Sequence, residues 1–422
     1  MGFYLKIGLM LLTCFLIRPS AFGQQFTAIG IAVSLFTLLL HLHQQKGKGL
    51  PVKISSQNLS VIIMTSLLFT LLSLHVVLVN SNNNLDFVLK ALIAHIAIVI
   101  SFGIILSNEE SNITFFRWFI KILLLFVFSY YITLLLSIFI PLNSLQLFKL
   151  NIKGYEGTGN TYFPFTILYS FMSVGENGFK LPRLLGLFRE SGILQMFMIW
   201  SLFNLKRVNM NKPWVKVTLF LGILASFSTA GVAVLFINLV ISFILNKKLI
   251  RAAIFVIFAY LAIFYTPFIG VNAKMDTHGA SISDRYIAVE NSLNSLKENP
   301  LGIGLYNATG FNNSGINLVA ASSMIGIQGF LLAILTYLIP MIFVQNKRSY
   351  FLSVSPLLIT SLTSQPILDA PLVYVMMMAL HPIYAKQDIQ NNKKKLINNS
   401  NYNKLVPKLS LPNPEIRIKE NS

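Results

Sequence analysis

Long apolar runs, each ended by a short polar break, constrain the fold of this chain more than any other feature of its sequence. A helix needs about 20 apolar residues to cross the hydrocarbon core of a bilayer. Only 11% of the 422 residues are charged and 55% are hydrophobic, whereas roughly a quarter of the residues of a soluble domain are charged. The sequence therefore predicts an all-α polytopic membrane protein with about 12 transmembrane helices. The runs assigned to spans are 3–17, 26–43, 59–79, 86–106, 115–140, 191–205, 215–229, 230–246, 250–268, 317–343, 350–365 and 367–385.

The first run, 3–17, also has the features of a secretory signal. Lys6 precedes an apolar stretch, and Ala21-Phe22-Gly23 follows it as a small-residue cleavage site would. The next apolar run comes directly afterwards, as in a helical hairpin, which favours an uncleaved helix. Cleavage would leave eleven spans without changing the orientation of the others.

Lysine and arginine residues are concentrated in alternate breaks and thereby indicate the orientation. Cytoplasmic loops of membrane proteins carry an excess of these residues. When Lys46, Lys48 and Lys53 are placed in the cytoplasm, that side receives 23 of the 33 lysines and arginines but only five of the 14 acidic residues. The excess of lysine and arginine in the cytoplasmic segments thus accounts for nearly all of the formal charge of +19. We expect membrane lipids as partners of the basic loops and no nucleic-acid partner.

The chain is predicted to form a single transmembrane domain, 1–385, followed by a basic segment, 386–422. That segment contains eight lysines and arginines and is rich in Asn and Pro, a composition typical of disorder. On the orientation above it is a cytoplasmic tail. The single cysteine, Cys14, excludes an intramolecular disulfide and a thiolate metal cluster.

Two long segments, about 141–190 and 269–316, fall on the extracytoplasmic side. Loops longer than about 12–15 residues are usually functional or disordered, and both segments carry aromatic residues, glycines and apolar patches. In the first, the apolar stretch from Tyr162 to Met172 is interrupted by Pro164 and is too short to span a bilayer. It is predicted to be a re-entrant or interfacial piece.

The first loop closes with charged residues at the entry of the next helix. Arg183, Arg189 and Glu190 lie there, and a charge at membrane depth is costly and therefore usually paired or functional. Adjacent helical residues point about 100° apart. Glu190 is therefore free to face away from Arg189 and to belong to a different pair.

The second loop is predicted to contain a helix with Ser283 as its N-cap, because apolar residues recur there at helical spacing. The predicted apolar stripe is Tyr286, Val289, Leu293 and Leu296. The run Asn299-Pro300-Leu301-Gly302-Ile303-Gly304 then stops the helix and makes a glycine-rich turn. Gly302 and Gly304 are interpreted as turn residues rather than ligand contacts.

Three segments occur in a recognisable order. Gly186-Leu187-Phe188-Arg189-Glu190-Ser191-Gly192 opens a helix with an arginine, Ser226 to Leu235 opens another with small polar residues, and Arg285 precedes Asn299-Pro300-Leu301-Gly302-Ile303-Gly304 by about a helix. Together they resemble the signatures of the bacterial O-antigen ligase and O-antigen polymerase superfamily. Ligase members often carry a histidine just before the helix that follows the second loop. This chain has Asn312-Asn313-Ser314 there, which favours the polymerase.

The resemblance implies a fold similar to that of membrane lipid-phosphosugar glycosyltransferases. It implies a multi-pass protein of the bacterial inner membrane that joins undecaprenyl-diphosphate-linked oligosaccharide repeat units on the periplasmic face. The product would be O-antigen, capsule or exopolysaccharide, and a chain-length regulator and a flippase would be partners. A ligase, which transfers glycan to lipid A–core, is the alternative within this chemistry. A transporter of polysaccharide or lipid-linked sugar would require charges within the spans, which are nearly absent.

This reaction needs cations for the departing diphosphate. Arginine is always charged and binds phosphate bidentately, so Arg189 and Arg285 are the predicted catalytic cations and Arg183 is a further diphosphate ligand. The simpler reading makes each of them a structural ion pair or an interfacial anchor. Asp369, between the last two spans, is a potential partner for a loop arginine or a helix cap.

The reaction also needs a base for the acceptor hydroxyl, and Glu190 is the predicted one. His278, Asp284 and Glu290 are the alternatives, and His278 and Asp284 together with Tyr286 are predicted to contact the glycan or diphosphate. No metal and no cofactor are expected, because neither loop has an Asp-x-Asp pair or a His/Cys cluster. His75 and His95, within predicted spans, are interpreted as packing residues.

Overall fold

The computed structural model describes residues 2–47, 49, 51–79, 85–150, 160–162, 167–174, 179–265, 270–307, 317–365 and 367–380. Within them the chain is mostly helical, and two 3-10 helices occur at Leu142–Leu145 and Ile339–Phe343. The α-helices are α1 (Gly2–Leu16), α2 (Gly23–Gly47), α3 (Ser56–Leu78), α4 (Leu85–Leu106), α5 (Glu109–Leu136), α6 (Ser191–Asn204), α7 (Pro213–Ala225), α8 (Thr229–Leu245), α9 (Leu249–Tyr265), α10 (Val271–Glu298), α11 (Leu318–Leu338), α12 (Lys347–Thr363) and α13 (Pro371–Met376). The predicted tail, 386–422, lies outside the described residues.

Five of these helical segments are long and apolar enough to cross a membrane. They are α2, α3, α4, α5 and the segment Leu318–Phe343, in which the second 3-10 helix extends α11. Four shorter apolar helices, α1, α7, α8 and α9, accompany them. Each of the first eleven predicted runs overlaps at least one helix. The chain therefore has the construction of a multi-pass, mostly helical membrane protein.

Polar side chains in the breaks cap the helices that follow. Ser55 Oγ accepts from Asn58 N at 3.2 Å at the start of α3, and Asn317 Oδ1 accepts from Ala320 N at 2.8 Å at the start of α11. Such caps satisfy amide groups that have no partner within the helix. The breaks thus end the apolar runs and also begin the next helices.

The last predicted span, 367–385, differs from the structure. In its described part, residues 367–380, only the six residues of α13 are α-helical, about 9 Å of helix at 1.5 Å per residue. Residues 371–380 are all buried, and Gln57 Nε2 and Asn112 Nδ2 donate to carbonyls of this segment. Its apolar composition reflects burial within the protein, which sequence alone does not distinguish from exposure to lipid.

The first long loop contains a small antiparallel sheet, which the all-α prediction did not include. Its strands are β1 (Phe148–Leu150), β2 (Asn160–Tyr162), β3 (Ile167–Val174) and β4 (Phe179–Leu184), in the order β1-β2-β3-β4. In its described residues the expected re-entrant or interfacial piece overlaps β2 and β3, so the re-entrant alternative is wrong and the interfacial one stays a prediction. Its backbone pairs with neighbouring strands, with Thr161 opposite Leu168, which a short extended segment does more readily than a re-entrant turn.

The long helix of the second loop, α10, begins after Gly270 and ends at Glu298, as the Asn299-Pro300 signal predicts. Ser283 lies inside it and is not the N-cap. The predicted stripe is also wrong, because Tyr286 is 68% exposed whereas Ala288 and Ser292 are buried. Ser292 Oγ accepts from Ser323 N of α11 at 3.0 Å. Small residues face α11 because this contact requires a close approach of the two backbones.

The glycine-rich turn after α10 docks on a kink in α11. Ile303 N donates to Ser323 O at 3.0 Å and Gly304 N donates to Met324 O at 2.9 Å. Gly302 and Gly326 have positive φ angles of 85° and 71°. A Cβ on Gly302 would lie 2.4 Å from the backbone N of Gly326, so both positions require glycine. The structure thus confirms the turn interpretation.

Candidate functional site

The turn that follows α1 pairs with the segment that precedes α6. Ala21 N donates to Leu187 O at 2.9 Å, and Arg189 N donates to Pro19 O at 3.2 Å. Ser20 and Phe188 form an antiparallel bridge between these two hydrogen bonds. This pairing brings the predicted motif arginine, Arg189, to the turn that carries Arg18.

Aromatic packing beneath the pairing fixes its position. Phe188 is fully buried, and its ring lies 4.9 Å from Phe197 and 6.0 Å from Phe15, between ring centroids. Gly186 has a φ of 58°, and a Cβ there would lie 2.5 Å from a Phe126 ring carbon. The sequence from Gly186 to Phe188 therefore turns the chain tightly enough to place Arg189 at the end of the bundle.

Arg18 and Asp369 form an ion pair at this end of the bundle. Tyr306 Oη donates a hydrogen bond to Oδ2 of the same carboxylate at 2.9 Å. Both of these contacts are made to Oδ2. Asp369 precedes the N-cap residue Ala370, so its role is that of an ion-pair partner, for Arg18 rather than for a loop arginine.

Tyr306 lies between α10 and α11 and has a φ of 64°. This left-handed conformation costs a residue with a side chain about 1–2 kcal/mol. Burial and then the nearby Asp369 carboxylate raise the pKa of Tyr306 well above its ordinary value of 10. The phenol therefore keeps its proton and serves as a hydrogen-bond donor to Asp369.

Arg18 and Arg189 line one cavity of about 250 Å³, which we call the Arg189 cavity. Tyr306, Asp369 and Asn317 supply its other polar groups. The remaining wall is apolar and consists of Leu305, Leu318, Ala321, Met324, Ile367 and Leu368. Charged groups act more strongly on a ligand beside an apolar wall than they do in bulk water.

A second cavity, of about 560 Å³, shares Arg18, Tyr306 and Asp369 with the first. We call it the His95 cavity, because His95 of α4 also lines it. His95 stacks on Phe69 with ring centroids 3.6 Å apart, which agrees with the packing role expected for this histidine. The three shared residues form the wall common to both cavities.

Glu190 and Arg189 form an ion pair with 3.7 Å between Glu190 Oε1 and an Arg189 guanidinium nitrogen. The suggestion that Glu190 faces away from Arg189 is therefore wrong. Glu190 is the N-cap residue of α6 and has an extended backbone, with φ −139° and ψ 149°. The 100° rule for helical neighbours does not apply to such a residue.

Arg183 contacts the protein at the junction of β4, α6 and α7. Its guanidinium donates to Ser191 Oγ at 2.6 Å and, through Nε, to Ser226 O at 3.3 Å. Arg183 is not among the described residues that line the two cavities. These contacts describe an anchor for the start of α6, which carries Glu190 as its cap.

The predicted residues of the second loop do not join the described cavity walls. Arg285 is half-buried on α10 and Tyr286 is exposed, and neither lines the Arg189 cavity or the His95 cavity in the part of the chain that the structure describes. The side chains of His278 and Asp284 lie outside the described residues. Glu290 is exposed on α10.

Three residues of the site, Arg18, Tyr306 and His95, were not among the predicted ones. Arg18 directly follows the first apolar run and precedes Pro19. The sequence indicates Arg18 as a candidate, because a charge at the end of a predicted span is costly unless it is paired or functional. Asp369, a single acidic residue between two apolar runs, is the corresponding candidate for its ion-pair partner.

The described residues contain no group of three or more His, Cys, Asp or Glu side chains that would hold a metal ion. The site brings two arginines, one carboxylate, one phenol and one imidazole to two cavities that share a wall. No protein-family model, no curated protein and no solved structure matches the chain significantly. The fold and site thus define a multi-pass membrane protein with an arginine-lined cavity at one end of its helices.

Proposed function

We propose that this chain is a polymerase of O-antigen, capsule or exopolysaccharide repeat units, and that it acts on undecaprenyl-diphosphate-linked oligosaccharides. The observation that carries the proposal is that Arg189, from the motif that resembles the family signature, lines one cavity together with Arg18. Two guanidinium groups in one largely apolar space suit the binding of a diphosphate leaving group.

The chemistry is a displacement at an anomeric carbon. As the bond to the diphosphate breaks, negative charge grows on its oxygens, and preorganised cations stabilise that charge most strongly where water is scarce. Arg189 is held in place by its backbone bond to Pro19 and by Glu190. In this proposal Glu190 orients Arg189 instead of serving as the base. Arg285 remains a predicted diphosphate ligand from the second loop.

The charge distribution supports a periplasmic position for the cavity. Lys6 lies ten residues before the end of α1, which corresponds to about 15 Å along a helix, and it contacts His41 and Ser111 at the opposite end of the bundle. That end carries the basic loops that the positive-inside rule assigns to the cytoplasm. Arg18 and Arg189 then belong to the extracytoplasmic side of the bacterial inner membrane.

The test is a deletion of the gene, complemented with single variants. The proposal expects the deletion strain to retain single repeat units on lipid and to lose long glycan chains. Arg189→Lys should restore less than about a tenth of the long chains, because an ammonium group cannot bind a diphosphate bidentately. Arg251→Lys, at an exposed position of α9 near the other end, is the matched control and should restore them fully.

Three outcomes contradict the proposal in different ways. Normal long chains in the deletion strain would remove the polymerase function. Long chains stranded on undecaprenyl diphosphate would identify a ligase. Loss of lipid-linked units from the periplasmic face would identify a transporter.

A further inference from the structure

Each arginine of the Arg189 cavity is paired with a carboxylate. Arg18 pairs with Asp369, and Arg189 pairs with Glu190 at 3.7 Å. Asp369 lines the cavity itself, whereas Glu190 is not among the described lining residues. A carboxylate in the wall repels an anion that binds beside it, and a neutral acceptor would orient Arg18 without this repulsion. Tight binding of a diphosphate therefore does not account for the charge of Asp369.

The charged side chains of this cavity are accessible to a ligand. The side chains of Arg18, Arg189 and Asp369 are 30%, 13% and 11% exposed, and all three line the same space of about 250 Å³. A diphosphate bound by Arg18 shares this guanidinium with Asp369, so the carboxylate and the bound anion lie close together. The apolar wall makes their repulsion stronger than it would be in bulk water.

Tyr306 helps to keep the Asp369 carboxylate in the wall. Its phenol donates to Oδ2 at 2.9 Å, and the ion pair with Arg18 is made to the same oxygen. Tyr306 follows α10 and Arg18 follows α1, so two separate parts of the chain hold the carboxylate. We expect Asp369 to keep its position when an anion enters the cavity, and its repulsion therefore acts on the bound ligand.

The charge of the diphosphate rises during the transfer. In the donor both phosphates are esterified, to the lipid and to the sugar, and each carries a single negative charge. The acceptor oxygen bonds to the anomeric carbon, the diphosphate oxygen leaves with the electron pair of the broken bond, and the acceptor proton passes to water. The terminal phosphate is then a monoester with a charge of about −1.5 to −2 near neutral pH. A fixed carboxylate consequently repels the product more than the donor.

We propose that Asp369 is the residue that drives release of the spent lipid diphosphate; this inference rests on the proposed polymerase function. Arg18 and Arg189 stabilise the charge that grows as the bond breaks, and Asp369 limits how tightly the resulting product is held. Without this carboxylate the product would occupy the cavity and block the next donor. Product release limits the turnover of many enzymes, and Asp369 lowers that barrier.

The experiment compares the chemical step with turnover. Purified full-length protein in liposomes receives lipid-linked repeat units from the deletion strain, first with protein in excess and then with donor in excess. Asp369→Asn keeps an acceptor for Arg18 and Tyr306 but removes the charge. We expect it to cleave donor at least as fast as the wild type in a single turnover. With excess donor it should show a burst, followed by a steady rate at least about fivefold lower.

Product inhibition measures the same effect directly. Added undecaprenyl diphosphate should inhibit Asp369→Asn at a concentration at least about fivefold lower than it does the wild type, because a repelling charge has been removed. Asp86→Asn is the matched control. It neutralises an exposed carboxylate that pairs with Lys90, and Asp86 is not among the described residues that line the Arg189 cavity. This variant should leave the burst and the inhibition unchanged.

A second cavity variant protects the test from a folding defect of Asp369→Asn. Asn317 also lines the Arg189 cavity and is the N-cap residue of α11, where aspartate is about as favourable as asparagine. Asn317→Asp adds a carboxylate to the wall. It should raise the inhibitory concentration of undecaprenyl diphosphate at least about threefold, opposite in direction to Asp369→Asn.

The outcomes separate the release role of Asp369 from a structural one and from the polymerase function. If Asp369 only supported the fold of the site, Asp369→Asn would cleave donor more slowly in a single turnover and would bind the product less tightly. That result, or unchanged product inhibition in every cavity variant that folds, would overturn the release role while the wild-type protein still forms polymer. A wild-type protein that forms no polymer would overturn the polymerase function, and the release role with it.

Discussion

Arg18 and Asp369 are separated by 351 residues in the sequence and form an ion pair in the fold. Arg18 follows α1 and Asp369 precedes α13, so the contact joins the first and last helices of the described chain. Removal of the first run as a signal peptide would therefore remove one side of the site. Met10 and Cys14 of α1 are fully buried, so this helix packs against the rest of the bundle.

Loss of the Asp369 carboxylate should destabilise the protein. The side chains of Arg18 and Asp369 are 30% and 11% exposed, so we expect Asp369→Asn to lower the free energy of unfolding by about 1–3 kcal/mol, between the values for exposed and buried pairs. Asp86→Asn breaks the exposed pair with Lys90 and should change it by less than about 0.5 kcal/mol. Denaturant unfolding in detergent measures both. Equal effects would contradict the buried character of the Arg18 pair.

Tyr306 should remain protonated beyond pH 10. Because the folded protein holds this proton more tightly than the unfolded chain, its contribution to stability is complete below pH 10 and decreases as the pH rises toward the folded pKa. The tyrosinate absorbance of the wild-type protein minus that of Tyr306→Phe should stay flat up to pH 10. A tyrosinate signal from Tyr306 below that pH would contradict its burial beside Asp369.

The close backbone contact between Gly302 and Gly326 should tolerate no side chain at either position. A Cβ on Gly326 would lie 2.1 Å from Leu301 O, and both glycines have positive φ. Gly326→Ala and Gly302→Ala should each cost more than about 2 kcal/mol of unfolding free energy. Gly8→Ala is the control, since nothing lies within 4 Å of its Cβ, and it should stabilise α1 by up to about 1 kcal/mol. Losses of similar size at Gly8 and Gly326 would refute the docked turn.

Thiol labelling tests the orientation of the bundle. In a Cys14→Ser background, Tyr286→Cys and Lys46→Cys place single thiols at exposed positions of α10 and α2. A membrane-impermeant maleimide applied to spheroplasts should label the first directly and the second only after permeabilisation. The reverse pattern would place the Arg189 cavity in the cytoplasm and exclude a periplasmic reaction.

The helices were predictable because the length of an apolar run is a local property of the sequence. Predicted runs overlap α1 to α9, α11 and α12. The run at 367–385 was mistaken for a span, because a segment buried in the protein is as apolar as one that faces lipid. The stripe on α10 was misjudged for a related reason. Large residues such as Tyr286 and Leu293 are exposed, and the close contact with α11 selects small ones.

The site was predictable only in part. Arg189 was identified because a charge at the entry of a membrane helix is costly, and it does line the cavity. Its neighbours come from distant parts of the chain. Tyr306 meets Asp369 across 63 residues, and the pairing of Pro19 with Arg189 has no periodic signature. The relation of Glu190 to Arg189 was judged from helix geometry, whereas Glu190 precedes the helix.

Reconstitution of the purified full-length protein is the sharpest test of the proposed polymerase function. Wild-type protein and Arg189→Lys are placed separately in liposomes with lipid-linked repeat units from the deletion strain, and the glycan products are separated by length. We predict a ladder of polymer from the wild-type protein, released undecaprenyl diphosphate in matching amount, and at least a tenfold loss of both with Arg189→Lys. A wild-type protein that leaves the repeat units single, or an Arg189→Lys variant with an unchanged ladder, would refute the polymerase function proposed for the Arg189 cavity.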